Sequence, residues 1–258
     1  MRLGLVLAEG REAELARLAE ANGLFGVLAG SGNPLTAVSA AVYASTATEF
    51  VRIAVCVRLG LEHPITLAEE LSILDNVNNG RTVVIADTGE LDAEAAADEV
   101  AVLREALASR PIAHEGVRWK VPAGLPANVT APKSISVTPK PAQIEVPFWV
   151  TGPQAAEVGR VAGLALLAHT PSDVSDPKLL QPGVTAIKGE LALDRAQVTE
   201  WAAVSVTHLF VELPKEAEPG KVMTLVSRYL GPEVGMPHFP RVMSDSRVPL
   251  PWPGERRN

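Results

Sequence analysis

Apolar positions along this chain come in short runs separated by stretches where they recur at helical spacing, and the alternation starts with the first residues. Leu3 to Ala8 reads as a strand. Glu12 to Asn22, apolar at Ala13, Leu15, Ala16, Leu18 and Ala19, reads as a helix stopped by Gly23. Leu24 to Ala29 is a second strand. After Gly30-Ser31-Gly32-Asn33, Pro34 suits a helix start, and the Ala-rich run to Thr46 continues it. Val51 to Val57 is the third strand. Pro64 opens the next helix, because it lacks only an amide hydrogen that would go unbonded there, and Ile65, Ala68, Leu71 and Leu74 give that helix a packing face. Asn79-Gly80 supplies the positive-φ residues that end it, and Thr82 to Ala86 follows as a strand buried on both faces.

The fourth helix spans Asp92 to Leu107 and starts on an acidic cap. Prolines and β-branched residues between 109 and 145 predict an irregular excursion with short strands. Val146 to Val150, Leu164 to Ala168, Val184 to Lys188 and Leu209 to Leu213 complete a set of eight strands. Helices follow the fifth (Gln154 to Ala162), seventh (Asp194 to Ala203) and eighth (Lys221 to Leu230). Between strands six and seven only Thr170 to Gly183 is available. Pro171, Pro177 and Pro182 punctuate it, so a shortened segment without a full helix is expected there. A Pro-rich tail, 232–258, wraps the surface or frays. Strands alternating with helices indicate parallel pairing, and 258 residues accommodate one α/β barrel or two small domains.

Composition narrows the partners. With 47% hydrophobic and 21% charged residues the chain can bury a sizeable core. A net charge of −7 repels a phosphate backbone and an anionic membrane surface, so neither nucleic acid nor membrane is expected as a partner. The lone Cys56 forbids an intrachain disulfide and fits a reducing compartment. The apolar run at 3 to 8 meets Glu9, Arg11, Glu12 and Glu14 at once, which is not a signal-peptide core, and the cytoplasm is the expected location.

Two stretches carry a resemblance. "NPLTAVSAAVYASTATEFVRIAVCVRLGLEHPITLAEELSILDNVNNGR" is similar to the luciferase-like flavin- or deazaflavin-dependent oxidoreductases in its Pro-Leu helix, the Thr before strand three, His-Pro, Ala-Glu-Glu and the Leu-Asp ahead of Gly-Arg. "ALASRPIAHEGVRWKV" leading to "PKPAQIEVPFWVTGPQAAEVGRVAG" is a weaker match. The resemblance covers roughly Met1 to Ala168, and Leu191 to Leu213 fits the final βα unit. It implies a single (β/α)8 TIM barrel over 1–258, shortened between strands six and seven, with FMN or F420 at the C-terminal mouth. It also implies a non-prolyl cis peptide at the end of strand three, which would set Val55, Cys56 and Val57 beside the flavin ring. Homodimerisation through helices near strands two and three is implied too, and "LTAVSAAVYAST" is an apolar, small-residue helix suited to it. The chain departs from the family where strand two ends: Ala29-Gly30-Ser31-Gly32 stands in place of an Asp-His pair. At strand four "IADTGEL" keeps Gly89 but inserts Asp87.

Several residues hold candidate chemistry. Thr151-Gly152-Pro153-Gln154 sits between a strand and a helix, where free amides and the dipole favour an anion such as a cofactor phosphate; an ordinary capped turn is the other reading. His63 precedes the helix-opening proline on the upper face, as a hydrogen-bonding group for cofactor or substrate or as a support for its loop. Cys56 lacks a neighbouring His and reads as filler. Asp75 and Arg81 belong to the lower face, where barrels keep stability, and a contact between them is expected. Asp87 and Thr88 with Gly89, His169, Lys188 and Glu212 lie at or near upper strand ends and are candidates for acid–base and phosphate-binding groups in one cavity, although capping or solvation accounts for each singly. The histidines show no zinc spacing, and no metal is expected. The primary expectation is a flavin/F420-dependent monooxygenase or reductase acting on a small organic substrate. Composition rich in Ala, Val, Gly, Arg and Pro tilts the cofactor toward F420 by association with high-GC bacteria. A non-catalytic flavin-binding or partner subunit of the same fold is the alternative, and a barrel lyase or isomerase using Asp87 and Lys188 is a third.

Overall fold

Runs of alternating inward and outward apolar residues close into a barrel in the computed structural model, which describes residues 1–124, 130, 132–174 and 181–236. The strands are β1 (Arg2–Val6), β2 (Gly26–Ala29), β3 (Arg52–Arg58), β4 (Thr82–Asp87), β5 (His114–Glu115), β6 (Lys120–Val121), β7 (Phe148–Thr151), β8 (Ala165–Leu166), β9 (Pro182–Ala186) and β10 (His208–Glu212). Eight of them form one parallel sheet in the order β8-β7-β4-β3-β2-β1-β10-β9. The ring closes at Ala168, whose amide donates to the Pro182 carbonyl at 2.9 Å while its own carbonyl accepts from Val184 N at 2.9 Å. Closure of this kind leaves no edge strand open.

Period-two alternation separates two cores. Val6, Leu28, Ala54, Cys56, Ile85, Trp149, Val184 and Phe210 pack together inside the barrel. Leu3, Leu5, Val27, Ile53, Val55, Val57, Val84 and Val150 face the helical shell. Gly4 is what admits Phe210: a Cβ there would lie 2.6 Å from the ring. Burying an aromatic side chain of this size contributes about 1.5–3 kcal/mol.

The shell consists of α1 (Glu12–Ala21), α2 (Ala37–Thr46), α3 (Pro64–Val77), α4 (Ala93–Leu107), α5 (Ala155–Ala162), α6 (Leu191–Ala203), α7 (Pro219–Leu225) and the short α8 (Gly231–Glu233). The differences from the sequence reading have local causes. Pro34 to Thr36 forms a 3-10 turn capped by Asn33 before α2 begins. Helix α6 starts at Leu191, three residues before the expected Asp194, which instead sits in the first turn and accepts from Lys188 N at 2.7 Å. A π turn, Val226–Leu230, ends the expected last helix. Gly231–Glu233 makes the first residues of the supposed tail helical, and 237–258 lies outside the described residues. Between β8 and β9 only a 3-10 turn, Pro171–Asp173, is present among the described residues.

The excursion after α4 folds back along it. Strands β5 and β6 pair antiparallel. Asp98 of α4 takes the amides of Arg118 and Trp119, each at 2.9 Å, and lies 2.6 Å from His114 Nε2. The buried Glu99 next to it accepts from Gly60 N at 2.7 Å and from Trp119 Nε1 at 3.3 Å, so one helix turn secures both the hairpin and the loop after β3.

At the lower end Asp75 and Arg81 are both buried. Arg81 donates to the carbonyls of Asn78, Val51 and Thr48 at 2.6, 2.8 and 2.8 Å, while Asp75 accepts from Thr82 N and Gln143 N. These bonds tie the α3–β4 turn to its neighbours. Among the described residues no helix is long and apolar enough to cross a membrane.

Candidate functional site

The C-terminal ends of β2, β3, β4, β7 and β8 surround a cleft of about 390 Å³. Inward parity decides its lining. Leu28, Cys56 and Leu167 form an apolar floor, and Gly30, Ser31 and Gly32 form one wall. Arg58, Asp87, Thr151 and His169 make up a polar arc that continues from it along β3, β4, β7 and the loop after β8.

Register fixes that arc. Arg58 pairs with Asp87 across β3 and β4, and Asp87 with Thr151 across β4 and β7. Arg58 Nε and Nη2 both donate to Asp87 Oδ2 at 3.0 Å, and Asp87 Oδ1 accepts from Gly89 N at 3.0 Å. With Arg58 44% exposed, the pair adds at most about 1 kcal/mol to stability, so its importance is positional. Thr151 Oγ1 lies 3.0 Å from His169 Nε2. The loop behind His169 is pinned by Asp173, whose Oδ2 accepts from Thr170 N at 2.7 Å and His169 N at 3.1 Å. Burial raises the Asp173 carboxyl, but these hydrogen bonds outweigh it and hold the group below the ordinary carboxylate value.

The candidate residues separate clearly. Of the strand-three trio only Cys56 faces the cleft; Val55 and Val57 point into the helical shell. The expected non-prolyl cis peptide is not found at residues 55–57, where β3 stays in register with β4 through Arg58. Burial, reinforced by the Asp87 charge and opposed by Arg58, pushes the Cys56 thiol up to about 12, so it is neutral and non-nucleophilic.

Gly152 has φ +98, and a Cβ there would stand 2.5 Å from both Asp87 Oδ1 and Thr88 Oγ1. Glycine is required for the close approach of the β4 and β7 loops. Thr88 is fully buried between them, donating its amide to Thr151 O at 2.9 Å and accepting from Gln154 N at 3.2 Å. Ala155 N is bonded to Gly152 O, and Glu157 adds a negative charge to the first turn of α5. His63 is exposed, caps α3 by accepting from Ile65 N at 3.1 Å, and stands edge-on to Trp119 with centroids 4.4 Å apart, outside the cleft. Lys188 lies beyond the end of β9 and Glu212 ends β10, on the opposite arc of the mouth.

Arg58 and Ser31 were missed as candidates, although Arg58 stands two residues after Cys56 on an inward-facing parity. The floor and rim fit the ring of a flavin or deazaflavin: an apolar surface below, with hydroxyl, imidazole and guanidinium groups along one edge. The α5 turn offers a phosphate little, because Gln154 N and Ala155 N are already bonded.

A family model described as luciferase-like monooxygenase matches residues 8–192. Solved structures of similar fold include the coenzyme F420-dependent tetrahydromethanopterin reductase from Methanopyrus kandleri, with a TM-score of 0.68 and 14% identity over 90% of this chain and 99% of that one. The monooxygenase RslO1 from Streptomyces bottropensis aligns with a TM-score of 0.65 and 16% identity, again over 90% of this chain and 99% of the other. Apo-MsnO8 gives 0.60 and 16%, covering 90% of this chain and 98% of its own. At such identities the likeness to these structures is one of fold. No curated protein matches.

Proposed function

The chain belongs to the luciferase-like monooxygenase family, and from that premise we propose that it is an oxidoreductase holding F420 or FMN in the mouth cleft and acting on a small organic substrate by hydride transfer or monooxygenation. The observation that carries this reading is the cleft itself, an apolar floor beneath a one-sided polar arc at the C-terminal end of a parallel barrel. The F420-dependent neighbour supports the deazaflavin, and the monooxygenase neighbour supports monooxygenation. The bound cofactor supplies the redox chemistry.

The protein's own residues do the rest. Leu28, Cys56 and Leu167 seat the ring and exclude water from its underside. Gly152 keeps the β4 and β7 loops close enough for Asp87 and Thr151 to share one rim. The Thr151 hydroxyl engages His169 Nε2, which leaves Nδ1 to take or give a proton at the substrate edge, opposite the wall where the family's Asp-His pair would stand. Thr88, Gly89 and Gln154 are assigned to holding the cofactor's rim loop in shape, and His63 to holding the loop between β3 and α3.

Titrating the purified protein with FMN and with F420, followed by cofactor fluorescence, tests the reading. Saturable binding of one of them is expected; absence of both rejects it. The Gly30-Ser31-Gly32 wall favours a second reading, a non-catalytic flavin-binding or partner subunit, which sustained turnover by the isolated chain would reject.

We also propose a homodimer through α2 and α3. Residues 33–48 contain no charged side chain, Leu35 is 78% and Tyr43 62% exposed, and on α3 Ile73 and Val77 are about half exposed. A monomer by light scattering at working concentration rejects that arrangement. The net charge of −7 supports a protein free of nucleic acid and membrane, and the single reduced cysteine supports the cytoplasm.

A further inference from the structure

We propose that Arg58 is an oxyanion-binding residue whose outer guanidinium edge takes a carboxylate, phosphate or sulfonate group at the mouth cleft; this deepens, and rests on, the reading of that cleft as the ligand site. A guanidinium is a planar fork with two usable edges. Asp87 Oδ2 occupies the edge formed by Nε and Nη2, at 3.0 Å from each. That leaves the Nη1 side of the fork, and among the described residues no partner engages it.

Position and surroundings make the free edge useful. Asp87 is only 13% exposed and is itself anchored by the Gly89 amide, so the guanidinium is held from behind and loses less freedom when a ligand arrives. The side chain is 44% exposed and lines the cleft, beside a floor of Leu28, Cys56 and Leu167 that weakens dielectric screening. Arg58 is the one permanent cation among the cleft's described lining residues, in a chain whose net charge is −7. Ser31, just past the end of the adjoining β2, adds a hydroxyl to the same cleft lining. The competing anion seat, the α5 turn, already spends Gln154 N and Ala155 N internally.

Two ligands could bring such an oxyanion: the cofactor, through its phosphate, or the substrate, through an acidic group. The experiment titrates the full chain as wild type, Arg58→Gln and Arg58→Lys with FMN beside riboflavin, F420 beside its phosphate-free deazaflavin chromophore, and benzoate, read by fluorescence and calorimetry. Removing a charge-assisted bidentate contact weakens binding by about ten- to hundredfold. Arg58→Lys, which keeps the charge and the Asp87 pair but loses the fork, recovers only part of that loss. If the phosphorylated cofactor alone weakens while its phosphate-free partner is unchanged, the oxyanion is the cofactor's. If the cofactors are unchanged and benzoate binding is lost, it is the substrate's. Binding of benzoate that depends on Arg58 in a protein that takes neither flavin nor F420 supports the anion site and removes the cofactor reading. Affinities unchanged in both variants, at unchanged melting temperature, overturn the proposal, as does a wild type that binds none of the probes. A melting temperature lowered in Arg58→Gln but not in Arg58→Lys leaves the lysine variant to decide.

Discussion

Between pH 7 and pH 5 the His208 imidazole weakens this fold, and the size of the effect follows from where that ring sits. His208 begins β10 at the lower end of the barrel, 4.3 Å from the Phe25 ring and 5.9 Å from that of Trp149, with Nδ1 2.9 Å from Thr207 Oγ1. Burial, then the Arg2 charge, then the terminal ammonium bring its pKa down from 6.5 to about 4. An unfolded chain therefore takes up a proton near pH 6.5 that the folded chain refuses until about pH 4. Stability is complete above the higher value and falls as pH drops through the window between them. The shift corresponds to a loss of about 3 kcal/mol once the window is crossed, and about 2 kcal/mol of it is lost between pH 7 and pH 5. At roughly 2–4 °C per kcal/mol, melting temperature falls by about 4–8 °C. The assay is urea unfolding at pH 7 and pH 5, at fixed ionic strength, for wild type and His208→Phe. Phenylalanine keeps the aromatic packing and does not titrate, and Thr207 Oγ1 still bonds the Gln181 backbone. The pH-dependent difference should shrink by about 2 kcal/mol in the variant. A variant as acid-sensitive as wild type refutes the assignment.

Further outcomes follow from the rim and its supports. Gly152→Ala forces a Cβ against Asp87 and Thr88 at φ +98, costing about 2–4 kcal/mol, and calorimetry showing no loss would contradict the packing argument. Asp98→Ala strips the acceptor from the Arg118 and Trp119 amides, so hydrogen exchange there should rise by about tenfold or more while β3 and β4 stay protected. The Asp98 carboxyl is raised by burial but lowered further by His114 and those two amides, to below its ordinary value. Its contribution is therefore present above the unfolded pKa of about 3.8 and is lost only in stronger acid, separable from His208 by a titration run below pH 4. Native Cys56, its thiol pushed up to about 12, should resist a disulfide reagent at pH 8 until urea unfolds the chain; fast stoichiometric labelling would show an open barrel interior.

Much of the barrel is legible in the sequence because its signal is periodic. The eight strands emerge with ends displaced by a residue or two and the helices by up to about five, since apolar runs mark burial while ends are set by pairing and capping. The site is less legible. Position in the chain groups Val55, Cys56 and Val57, whereas the pleat sends the valines outward and leaves Cys56 and Arg58 inside. Gly152 has the look of a phosphate turn, yet the space its missing side chain would fill belongs to Asp87 and Thr88, two residues distant by more than sixty positions. His63 carries the same ambiguity, and only the Ile65 amide and the Trp119 ring decide for a cap. Such assignments depend on which loops meet across strands, and hydrophobic pattern does not encode that.

Register also explains why the chemistry of the mouth is one-sided. Arg58, Asp87 and Thr151 are consecutive partners on three adjacent strands, so the ladder sets them in a row about 4.8 Å apart from strand to strand, and Thr151 hands the row on to His169. On the other side of β3 the adjoining end of β2 contributes Gly30, Ser31 and Gly32, with one hydroxyl among them and no charge. A ligand with one polar and one apolar edge is thereby oriented before any specific contact forms, its polar edge toward β3, β4 and β7. The same geometry makes the row fragile in a particular way. One residue inserted in β4 would preserve strand pairing yet turn Asp87 to the outer face, releasing Arg58 and detaching Thr88 from Gln154 together. Loss of ligand binding with the barrel still folded is therefore the expected signature of a register change here, and it separates the requirements of the site from those of the fold.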